Sequence, residues 1–209
     1  MDTQAEVREL AEWLRDVMPE DVAVAVAEDC GIAYTSEGRY YHDLRHCKEV
    51  VVDLLNVPGG TVELVLAGAY HDFIYDPTGP KGDNEQRSAD FAAKRADSWG
   101  YDGDEVHRLI MLTVDHEPRP GDRIGQLMCD ADLIRFAIEP YSAFVSQNED
   151  IRREYAHVSD EDWARGRPAV LLKYLVRNPF YYTLANRHSD RATLNIVRAL
   201  REMGWKPGA

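Results

Sequence analysis

Residues 61–73 read Thr61-Val62-Glu63-Leu64-Val65-Leu66-Ala67-Gly68-Ala69-Tyr70-His71-Asp72-Phe73. The stretch is nearly all apolar, which predicts a central, buried helix, since a helix apolar all round belongs in a core. Gly59-Gly60 is the break before it. Its far end carries an imidazole and a carboxylate side by side. A buried aspartate without a partner is costly, and a divalent cation is an efficient partner for such a pair.

Upstream, Tyr41-His42-Asp43-Leu44-Arg45-His46 opens a predicted helix over 41–55, with Leu44, Cys47, Val51 and Leu54 or Leu55 at helical spacing. His42 and His46 are four apart, so on a helix they share a face. Downstream, Asp130-Ala131-Asp132 adds an acidic patch on another predicted helix, 122–138. Imidazole and carboxylate ligands hold Zn, Mn, Fe, Co or Ni. A single His, a His-Asp doublet or an i, i+4 pair means little alone; their combination in this order points to a metal.

Most of the remaining chain also reads as helix. Val7, Leu10, Leu14, Val17 and Met18 form one stripe over 3–18. A loop at 76–84 holds Pro77, Gly79, Pro80 and Gly82, and helices are expected at about 84–97, 104–116 and 140–156. Ser159 and Asp162 form a capping box for a helix that Pro168 is expected to interrupt. A last helix is expected from about Ser189 to Met203, ending at Gly204. Val22-Ala23-Val24-Ala25-Val26 is the one candidate strand, ambiguous because it is rich in alanine. The expectation is an all-α chain forming one domain over residues 1–209.

Composition narrows the function. A net charge of −13 argues against a nucleic-acid polymer as partner, while a small phosphorylated molecule stays open, because a local metal and a few arginines override the global field. The absence of an apolar run near 18 residues predicts no membrane span. An N-terminus with Asp2, Gln4 and Glu6 is unlike a signal peptide, and Cys30, Cys47 and Cys129 show no CxxC spacing; both suggest a cytoplasmic protein. Oligomeric state is left open.

With these motifs in view, the sequence resembles the HD-domain metal-dependent phosphohydrolases. Their pattern is a His, a His-Asp doublet and a distant Asp, all on helices around one metal. Here 25 residues separate His46 from His71 and 60 separate Asp72 from Asp132. The segment YHDLRHCKEV is similar to YHNxxHAxDV of cyclic nucleotide phosphodiesterases, in the same superfamily. RYYHDLRH, AYHDFIYDP, DNEQRSA, CDADL, IRREYAHV and GRPAVLLKYLVRNPFYYT resemble one branch of predicted HD phosphohydrolases. Phe73-Ile74 replaces the Gly-Lys that often follows the doublet, a departure from the cyclic-dinucleotide enzymes.

The resemblance implies a helical HD bundle. It makes His46, His71, Asp72 and Asp132 the ligands of a divalent metal (Mn, Co, Ni, Fe, Mg or Zn) and His42 the proton donor. Ala131-Asp132-Leu133 matches the context of the distant Asp, with Asp130 as the other candidate. Glu85 is a candidate to orient water or hold a second metal, or else a carboxylate favoured at a helix N-terminus. Arg39 matches an Arg of the narrower branch and suits phosphate oxygens; Arg45, Lys81, Arg87, Arg153 and Arg177 are alternatives. His116 is a second-metal candidate or a histidine at a helix C-terminus. The implied activity is metal-dependent hydrolysis of a phosphate ester or anhydride in a small metabolite, a nucleotide foremost. The alternatives are a di-iron oxygenase of the same superfamily and a non-catalytic nucleotide sensor.

Overall fold

The computed structural model describes residues 2–184 and 186–205. Among them are ten α-helices, two short 3-10 turns and no strand. None of these helices is long and apolar enough to cross a membrane. The contacts divide the chain into two compact units, residues 1–132 and 133–209.

The first unit holds α1 (Thr3–Leu14), α2 (Glu20–Ala33), α3 (Leu44–Leu55), α4 (Val62–Tyr70), α5 (Asp83–Ser98), α6 (Gly103–Met111) and nearly all of α7 (Arg123–Leu133). α4 is the hub, packed against α2, α3, α5 and α6. Every residue from Leu64 to Tyr70 is buried, as expected of the apolar stretch. Side-chain caps start the helices: Asp43 accepts from the His46 N–H, Thr61 from Leu64 and Asp102 from Glu105. Gly68 lets α4 approach α3 closely, since a Cβ there would lie 2.4 Å from Leu54 Cδ1 and 3.3 Å from Val50 Cγ1.

Three local expectations are corrected. Residues 22–26 are not a strand but lie in α2, where Val22, Ala23, Val26, Ala27 and Cys30 are buried at helical spacing. The helix expected over 41–55 begins at Leu44, because Asp43 caps it; His42 therefore precedes the helix and does not share its face with His46. Pro168 does not interrupt α9 (Asp160–Leu175). The carbonyl it leaves without its usual donor is that of Ala164, which is exposed and open to water.

The second unit has α8 (Tyr141–Glu154), α9 and α10 (Asn186–Glu202) around its own core of Leu133, Ala137, Phe144, Leu171, Phe180, Tyr181, Ala192, Ile196, Ala199 and Leu200. Asn195 ties α10 to the Phe136 and Ile138 carbonyls at 2.9 and 3.0 Å.

Candidate metal centre

The site grows from the end of α4. A helix leaves its last carbonyls without backbone donors. Here the Gly68 oxygen takes the His71 ring Nδ1 at 2.8 Å, and the Ala69 oxygen takes the Tyr34 hydroxyl at 3.0 Å. The Cys30 and Cys47 thiols also point at Ala69 O, at 3.4 and 3.5 Å. The Tyr70 oxygen accepts from Phe73 N at 3.0 Å. Tyr34 then accepts from the Asp72 N–H at 3.1 Å, so one buried phenol, at the residue that ends α2, sets the chain direction just where the His-Asp doublet leaves the helix.

Because a carbonyl only accepts, the bond to Gly68 puts the His71 proton on Nδ1 and aims the Nε2 lone pair inward. His46, in the first turn of α3, presents its Nε2 3.2 Å from that atom. Asp132, near the end of α7, places Oδ1 3.3 Å from His46 Nε2 and 3.4 Å from His71 Nε2. Donor atoms of His46, His71 and Asp132 all lie within 4.8 Å of one another and could hold a metal ion. Asp72 Oδ2 is 3.0 Å from His71 Nε2 and 3.6 Å from His46 Nε2. The imidazoles are 1% exposed, the two carboxylates 17% and 16%, so solvent reaches the cluster through its acidic side.

Lone pairs and anionic oxygens at these distances require a positive charge among them. The donor set therefore fits a divalent cation. The hydrogen bond from His71 Nδ1 to Gly68 is the outer brace that metal-binding imidazoles use. His46 lacks that brace: its buried Nδ1 has no hydrogen-bond partner among the described residues.

Without a cation, the protonation of the cluster shows the same demand. Burial works against a charged His71, but the Asp72 and Asp132 carboxylates outweigh it and hold the imidazole well above its usual pKa. His46 shifts down, because burial dominates there. Burial also opposes ionisation of Asp132, yet the charge of His71 and the hydrogen bonds from His116, His46 and His71 hold its carboxyl well below the usual range. Asp72 is lowered likewise, against burial, chiefly by the charges of His71 and His42.

Of the four expected ligands, His46, His71 and Asp132 form the group whose donor atoms converge, and Asp72 stands beside it with Oδ2 against both rings. Asp130 is buried but is not among the residues whose donor atoms converge. His42 is half-buried beside the cluster, its ring stacked on Tyr75 at 4.4 Å and 6.0 Å from the His46 ring.

Arg39 does not present an open fork to a phosphate. It donates to the carbonyls of His42, Asp72 and Phe73 at 2.9, 2.7 and 2.7 Å. Glu85 lies half-buried in the first turn of α5, near the charge of Lys81, with no hydrogen bond or ion pair to the cluster. Lys81, Arg87 and Arg45 pair with Asp115, Asp83 and Asp43. Arg153 and Arg177 belong to the second unit, the former paired with Asp150 and the latter over the Tyr182 ring.

Two contributors were not assigned by sequence reasoning. His116, weighed only as a second-metal or helix-end histidine, lies with Nε2 2.8 Å from Asp132 Oδ2. Tyr34 carried no signal in the sequence, where the segment before it was the one candidate strand. Comparison of the chain with protein-family models, curated proteins and solved structures finds no match.

Proposed function

We propose that the chain is a metal-dependent hydrolase of phosphate esters or anhydrides in small metabolites, nucleotides foremost. The observation that carries this reading is the convergence of His46 Nε2, His71 Nε2 and Asp132 Oδ1, with Asp72 Oδ2 against the same pair of rings. The resemblance to HD-domain phosphohydrolases gives the reaction class.

In this reading His46, His71, Asp72 and Asp132 hold the ion. A bound divalent ion supplies a lowered pKa for water and polarisation of a phosphoryl oxygen. His42 is the general acid. It stands outside the donor set, partly open to solvent, with its ring steadied by Tyr75. It passes a proton to the leaving oxygen. Arg39 serves by holding the segments on either side of His42 and Asp72. Glu85 takes no step.

The test is a phosphate-release screen over nucleotides and sugar phosphates with Mn, Co, Ni, Mg and Zn, before and after chelation. Release that a chelator abolishes and one metal restores is expected. His42→Ala should then keep its metal and lose about 10²–10⁴-fold in kcat, with a smaller loss on p-nitrophenyl esters, whose leaving group needs little protonation. No release from any substrate by metal-loaded protein would overturn the reading, and about two irons per chain after anaerobic purification would turn it toward the oxygenase.

A further inference from the structure

We propose that His116 is a positioning residue for Asp132, holding that carboxylate so that a single oxygen, Oδ1, faces the metal position. This rests on reading the His46, His71 and Asp132 cluster as a metal site. Asp132 divides its oxygens. Oδ1 lies 3.3 Å from His46 Nε2 and 3.4 Å from His71 Nε2, whereas Oδ2 lies 2.8 Å from His116 Nε2. His116 is only 6% exposed, so water does not compete for this bond.

The backbone sets where this side chain starts. His116 sits at φ 57, the one positive φ found outside glycine among the described residues. Its N–H bonds Leu112 O at 2.8 Å, closing the turn that follows α6. Glycine would take that conformation without strain. Histidine is among the few residues that take this conformation at modest cost, and here its side chain ends on Asp132.

An ionised carboxylate only accepts, so His116 Nε2 carries the proton and donates it. A nitrogen whose proton points at Oδ2 has no lone pair to give a metal in the same geometry. The bond also fixes the carboxylate torsion and occupies Oδ2, leaving Oδ1 as the oxygen that faces His46 and His71. Hydrogen bonds of this kind to a ligand are worth about 10–100-fold in metal affinity.

The test titrates Co2+ into chelator-stripped protein, read by calorimetry and by the visible absorption of bound cobalt. His116→Asn keeps a residue tolerated at positive φ, but its amide is too short to reach Oδ2. His116→Gln puts an amide nitrogen near where Nε2 stands. We expect one Co2+ per wild-type chain, a Kd about 10–100-fold weaker in His116→Asn with an altered absorption band, and recovery to within a few-fold in His116→Gln. If circular dichroism shows His116→Asn unfolded, His116→Gly replaces it, since glycine takes the backbone without strain.

Unchanged affinity and spectrum in the folded variant overturn the inference while leaving the metal site standing. Two Co2+ per wild-type chain, with one lost in both variants, would make His116 a ligand and overturn it too. Wild-type protein that binds no Co2+ removes the metal reading itself, and the inference with it.

Discussion

The guanidinium of Arg39 makes four hydrogen bonds to oxygens of its own chain: Ser36 Oγ and the carbonyls of His42, Asp72 and Phe73. It also lies 4.9 Å from the Tyr34 ring and 5.4 Å from the Tyr75 ring. The planar fork reaches these four oxygens from three separate nitrogens, whereas lysine would have to serve them from a single ammonium nitrogen. Arg39→Lys should therefore destabilise the chelated protein by about 2 kcal/mol or more, as hydrogen bonds to a charged donor are lost. Urea denaturation in chelator reads this directly. If the variant is as stable as wild type and only KM rises, Arg39 holds phosphate after all. Nothing in the residue pattern separated these roles, because an arginine three positions before a histidine looks the same whether its fork faces a substrate or a carbonyl 33 residues away.

The close pairing of α3 with α4 brings His46 and His71 together, and it depends on Gly68. In an isolated helix alanine is better than glycine by about 1 kcal/mol, so Gly68→Ala would ordinarily stabilise. Here the added methyl meets Leu54 Cδ1 and Val50 Cγ1, and Leu54, 1% exposed, has nowhere to turn. Overpacking of a tight core typically costs about 1–3 kcal/mol, so the net change should be destabilising. Leu54→Ala alone should cost about 2–5 kcal/mol. The double variant should cost less than the two together, because the new methyl enters the space the leucine leaves. Additive losses in denaturant melts would show that α3 and α4 are not in contact at this point. At this scale the sequence was informative where packing agreed with pattern: the apolar run 61–73 announced a buried helix, whereas the close contact at Gly68 was visible only in the fold. The end of that helix at Tyr70 was not legible. No glycine or proline marks it; the donors that satisfy its last carbonyls come partly from Tyr34, far away in sequence.

For the whole molecule, helical periodicity made the all-α class readable, whereas the set His46, His71, Asp72 and Asp132 came from the family resemblance; the structure brings donor atoms of His46, His71 and Asp132 together, with Asp72 Oδ2 against the same two rings. The division into two units was not readable, because it falls at Asp132 and Leu133, within a continuous helical run and with no glycine, proline or polar linker at the boundary itself. All the candidate ligands lie in the first unit, so binding an ion should stabilise that unit by linkage. Metal at one hundred times its Kd contributes about 2.7 kcal/mol, which for a chain of this size is roughly 5–10 °C in Tm. Differential scanning calorimetry with and without chelator should show that shift. Asp132→Asn should abolish it, since one ligand is gone. Asp130→Asn should retain it, whatever the substitution does to the stability of the chelated protein, because the comparison is made within each variant. A shift that survives in Asp132→Asn and disappears in Asp130→Asn would move the fourth ligand by two residues. A shift absent from wild-type protein with every divalent ion tried would mean that the charges of this cluster are balanced by protons alone.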